Sequence, residues 1–89
     1  MGPYGKRIDG SQKGRGWLGE IRMPDGQTVM TEQSMEADGL VMPTIVPGTL
    51  PVEINYMRET GHPSKGQEDV AYRFGLRRLK SGLSPYAKE

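Results

Sequence analysis

The chain has no cysteine, one histidine, one tryptophan and one phenylalanine, and no apolar run approaches the roughly 18 residues of a membrane span. Without cysteine, disulfides, thiolate metal sites, a cysteine nucleophile and a C-x-x-C redox pair are excluded within these 89 residues. The lone His62 stands beside Pro63 with no partner near it in sequence, and reads as a helix-corner residue, not as a base or metal ligand. No apolar signal segment follows the first methionine. The opening Met-Gly does not extend to a myristoylation pattern, because Pro3 and Lys6 break it. No membrane partner is expected.

What is present is glycine, proline and charge. Thirteen glycines and seven prolines accompany 34% apolar residues. A chain of this length buries only about 60–65% of its unfolded surface. One small domain with a thin core is therefore expected, marginal in stability unless a neighbour adds burial. The net charge is +1, unevenly spread. Residues 1–16 carry Lys6, Arg7, Lys13 and Arg15 against Asp9. Residues 17–60 set seven acids against Arg22 and Arg58, and residues 61–89 set six bases against three acids. An acidic middle between basic ends suits electrostatic pairing between copies or subunits.

Gly14-Arg15-Gly16-Trp17-Leu18-Gly19 has the G-x-G-x-x-G spacing of a dinucleotide fingerprint. That motif works when a strand precedes it and a helix N-terminus follows, aiming backbone N–H groups at pyrophosphate. Here a polar, glycine-rich stretch precedes it and the β-patterned Trp17–Met23 follows, so no cofactor is expected. Gly19 is expected at a bulge or a close backbone approach.

Residues 1–16 read as an extended N-terminal arm, flexible or docking, and 17–89 as a single small α+β domain. A three-stranded antiparallel meander is expected: Trp17–Met23, Gln27–Ser34 and Leu40–Val46. Pro24-Asp25-Gly26 and Asp38-Gly39 supply the turns, and Pro43 places the last strand at an edge or bulge. Two helices should cover one face of the sheet. The first has Thr49 as N-cap, Pro51 in its first turn, Ile54 and Met57, together with Leu50, on one side, and an end near Thr60-Gly61. The second starts around Ser64 to Gln67 and runs to Ser81, with Gly82 as the C′ residue. Ser84-Pro85-Tyr86 should pack back on the body.

No residue set compels catalysis. Glu20 and Glu32 would face each other across the first hairpin, but acids there are ordinarily solvated. Thr31, Glu32 and Ser34 lack a base. Arg73, Arg77, Arg78 and Lys80 form a basic cluster near Tyr72 and Phe74, suited to phosphates or to a solvated helix end. Trp17 is either a core residue or an interface anchor. The interface candidates are thus Lys6, Arg7, Lys13, Arg15, Trp17, Arg73, Arg77, Arg78 and Lys80.

KGRGWLGEIRMPDG, then TEQS, DG, MPTIVPGTL and finally RRLKSGLSPY, in that order, resemble a family of small virion-associated proteins of tailed bacteriophages. The resemblance spans about residues 13 to 86. It implies a non-enzymatic structural component of a virion, in the tail machine or as a capsid accessory protein. It would contact larger phage structural proteins, in multiple symmetric copies. The resemblance transfers no catalytic residue. Two departures stand out: Pro47-Gly48-Thr49-Leu50 shifts the capping threonine, and Ala71-Tyr72-Arg73 replaces a histidine-alanine pair. The alternative is a nucleic-acid-associated phage accessory protein using the basic termini.

Overall fold

Two tight turns and two helix caps, all encoded locally, set the frame of the computed structural model, which describes residues 5–7 and 10–87. Strands β1 (Ile21–Arg22) and β2 (Val29–Met30) pair antiparallel around Pro24-Asp25-Gly26. Asp25 Oδ1 accepts from the backbone N–H of Gln27 at 2.9 Å and of Thr28 at 2.7 Å, and Oδ2 accepts from the Thr28 hydroxyl. Strands β3 (Ser34–Ala37) and β4 (Leu40–Pro43) are joined by Asp38-Gly39 alone. Both turn residues have positive φ, 54° and 74°, as a mirror-image two-residue hairpin turn demands.

The architecture is α+β, but the three-stranded meander is not formed: there are two separate two-stranded sheets. The expected return strand Gln27–Ser34 breaks at residues 31–33, and its last residue begins β3 instead. The expected third strand ends at Pro43, paired with Ser34, and not at Val46. The break coincides with a contact distant in sequence. Thr31 and Glu32 lie against the backbone of Gly16, where an added Cβ would meet Thr31 O at 3.6 Å and Glu32 Cα at 3.7 Å. Thr31 and Glu32 therefore serve the N-terminal segment, whereas Gln33 O accepts from Thr44 N–H at 2.9 Å beside the second hairpin.

Helix α1 (Pro51–Thr60) starts on Leu50, which has no side-chain cap, and ends on Gly61 in the left-handed conformation. Thr49 is not the N-cap. Its hydroxyl instead accepts from Val46 N–H at 3.0 Å and donates to Val46 O at 2.7 Å, closing the turn before the helix. Helix α2 (Lys65–Lys80) is capped by Ser64, whose hydroxyl accepts from Gln67 N–H at 3.1 Å and donates to Glu53 on α1 at 2.7 Å.

Each hairpin has its own helix. Ile21, Met30, Ile45 and Met57 form the buried cluster between the first hairpin and α1, with Met23 and Ile54 against it. β4 packs on α2, where Gly75 faces fully buried Met42. A polar node joins the halves: the buried Gln67 amide donates to Thr44 O at 2.8 Å and to Thr49 Oγ1 at 3.1 Å. Among the described residues no helix is long and apolar enough to cross a membrane.

The arm is folded back where it is described, not extended. Lys6 and Gln12 form an antiparallel bridge, Lys13 N–H donates to Gly5 O at 2.9 Å, and Gly14 is buried. Residues 1–4, 8 and 9 of the expected arm, and 88–89 of the tail, lie outside the described residues.

Candidate interaction surface

Three of the sequence candidates meet in one cluster that ties both ends of the chain to its body. The Arg7 guanidinium grips Glu32 with two parallel bonds, Nε to Oε1 and Nη2 to Oε2, both 3.0 Å. The side chains are 9% and 1% exposed, so this is a buried bidentate pair. Arg7 also donates to Ser11 Oγ and to Gln12 O, and lies 4.1 Å above the Tyr86 ring. Tyr86, itself buried, shares a 3.1 Å hydrogen bond with Ser34 on β3. The expected packing of Ser84-Pro85-Tyr86 on the body is thereby seen.

Trp17 stands beside this clasp. Its indole N–H donates to Pro85 O at 3.1 Å, and its ring meets Phe74 of α2 edge-on at 5.3 Å. Arg78 lies 4.9 Å over the same indole and donates from Nε to Ser84 O at 2.7 Å. Arg7, Trp17 and Arg78 are thus engaged internally. The facing Glu20–Glu32 pair is not formed. The register sets Ile21 against Met30, and Glu32 is buried on Arg7 whereas Glu20 is exposed near Arg15, 3.8 Å away. A buried acid at 32 was not legible in the sequence, because its partner lies 25 residues away with no shared local motif.

The remaining candidates divide. Lys6 and Arg15 are exposed on the folded-back arm, and Lys13 is half-buried there. Arg73, Arg77 and Lys80 share one exposed face of α2 and, with Leu76 and Ser81, line a shallow concavity of about 340 Å³. Arg73 bridges back to Asp69, four residues earlier, at 3.1 Å. Toward its N-terminus the helix carries Lys65, Glu68 and Asp69. Glu68, Asp69 and Tyr72 line a second shallow cavity with Glu36 on β3. There the Tyr72 hydroxyl donates to Asp38 Oδ2 at 2.6 Å. That bond first, and then the Asp38 charge, raises the Tyr72 pKa above the ordinary phenol value.

A third surface was not singled out from sequence. Helix α1 buries only Met57 fully, leaving Leu50 61%, Val52 68% and Tyr56 39% exposed. Val52 and Tyr56 are four residues apart, hence on one face. The Tyr56 ring meets His62 edge-on at 5.6 Å, which holds His62 at the corner between the helices, where the sequence puts it.

Comparison with known protein families, with curated proteins and with solved structures finds no match to this chain.

Proposed function

We propose that this chain is a non-enzymatic structural component of a tailed-phage virion, docking on a larger phage structural protein through the exposed apolar face of α1. The observation that carries the reading is that face. Val52 and Tyr56 stand open on one side of a helix whose Met57 and Ile54 join a thin core, and Leu50 is exposed at its N-cap. Exposed apolar side chains on one side of a helix suit contact with another macromolecule. Several side chains that chemistry would draw on are engaged in structure: Glu32 with Arg7, Thr44 and Thr49 with Gln67, His62 with Tyr56. The resemblance of the motif order to small virion-associated proteins of tailed phages supports the same reading.

The basic stripe Arg73, Arg77 and Lys80 favours a second reading, contact with nucleic acid. It requires DNA affinity that falls steeply with salt. The experiment is mass spectrometry of purified mature virions of the encoding phage. The chain is expected in fixed stoichiometry with its partner, and its absence from those particles would refute the virion reading.

A further inference from the structure

The last turn of α2 ends in a Schellman motif: Leu83 N–H donates to Arg78 O at 2.9 Å and Gly82 N–H to Leu79 O at 3.0 Å, with Gly82 at positive φ. Ser81 N–H reaches Arg77 O and Arg78 O. The carbonyls of Arg77, Arg78 and Leu79 are thus occupied, which blunts the negative end of the helix toward an approaching anion. The same turn brings Leu83, 49% exposed, into the wall of an open concavity of about 460 Å³, shared with Pro47, Phe74, Arg77, Arg78 and Ser81. Arg77 and Ser81 also border the concavity of about 340 Å³, where Lys80 stands. Among the described residues no acid lines either concavity, and neither Arg77 nor Lys80 has a salt bridge. Arg78 is held in place by its contacts with Trp17 and Ser84 O.

We propose that the C-terminal end of α2 seats an acidic protein segment that carries one large apolar side chain. The apolar side chain enters the larger concavity between Phe74, Leu83 and Pro47. Carboxylates on either side of it meet Arg77, Arg78 and Lys80. Charge complementarity selects the sign of the partner, since the walls offer cations alone. Arginine clusters are a recurring means of reading acidic motifs, because the planar guanidinium matches a carboxylate with two parallel bonds. The apolar wall selects protein over nucleic acid. A phosphodiester backbone would satisfy the cations and leave Phe74, Leu83 and Pro47 uncovered, whereas a leucine or phenylalanine between acids covers them. The volume falls within the range of about 300–1,000 Å³ found for ligand clefts. Arg78 is already ordered by the Trp17 ring, so less side-chain entropy is lost when a carboxylate binds.

The inference does not rest on the virion reading or on α1, since it concerns a different surface of the purified chain. Its test is fluorescence anisotropy of the full chain with a labelled glutamate-rich peptide carrying one central leucine. The same peptide with serine for leucine, and a DNA duplex, serve as competitors. The leucine peptide is expected to bind, more weakly as salt rises, and to outcompete both. Arg77→Glu, which sets like charges together, should weaken it by about tenfold or more. Leu83→Ser should weaken the leucine peptide and leave the serine peptide unchanged. Arg77 and Leu83 are both exposed, and circular dichroism checks that each variant is folded. No binding of the leucine peptide up to about 1 mM overturns the proposal. So does equal binding of the serine peptide, or an undiminished affinity in folded Arg77→Glu. Tighter binding of the duplex with the same dependence on Arg77 also overturns it, in favour of nucleic acid.

Discussion

Removing the Glu32 carboxylate would strand the Arg7 guanidinium in a nearly closed site, where side-chain exposures are 9% and 1%. Breaking a buried pair from one side costs about 3–5 kcal/mol, whereas replacing both partners by apolar groups is far milder. Glu32→Ala should therefore lower the urea midpoint by a large part of the total stability. The double change Arg7→Met with Glu32→Leu should recover most of it. Equal losses in the two variants would show that the charge pair itself, not burial at this junction, supplies the stability. Gly75 makes a second residue-scale case. Alanine improves helix propensity by up to about 1 kcal/mol. Here, however, its Cβ would sit 2.8 Å from Met42 Sδ and 3.1 Å from Met42 Cβ, and Met42 is fully buried. Overpacking of this kind costs about 1–3 kcal/mol, so Gly75→Ala should destabilise despite the propensity gain. A raised thermal midpoint would contradict that packing.

At the scale of elements, the β1–β2 turn carries a pH dependence. The Thr28 hydroxyl, then the backbone N–H groups of Thr28 and Gln27, hold the Asp25 carboxyl below its ordinary value of 3.8. A lowered folded value means stability that is present above the ordinary carboxylate range and lost as pH falls through the lowered one. Asp25→Ala should therefore flatten the acid limb of a thermal-midpoint curve below about pH 4, set by the usual aspartate pKa. An unchanged limb would remove Asp25 as its source.

The same turn shows what the sequence made legible. Pro24-Asp25-Gly26, Asp38-Gly39, the Ser64 cap and the Gly61 stop each act within three or four residues, so local chemistry sufficed. Strand alternation puts Ile21 and Met23 on one face, and both meet the buried cluster. The break at residues 31–33 did not, because it depends on Gly16 and Arg7. Neither did the clasp, whose Ser34–Tyr86 bond spans 52 residues. Of the site, the basic stripe on α2 was visible as a charge pattern. Leu50, Val52 and Tyr56 were not, since helical spacing alone cannot tell a covered face from an open one.

The whole molecule is two hairpin–helix pairs joined by the Gln67 node and closed at both ends by the Arg7–Tyr86 and Trp17–Pro85 contacts. Closing the ends inward leaves two outward surfaces with different characters: an apolar one on α1 and a charge-graded one on α2. The central claim is that α1 does the docking. The most direct measurement is quantitative mass spectrometry of phage particles assembled with the wild-type chain or with Val52→Glu. Because Val52 is 68% exposed, the change should leave stability within about 0.5 kcal/mol. The wild-type chain should be found in fixed copy number and the folded variant lost from the particles. Equal incorporation of Val52→Glu would contradict the account.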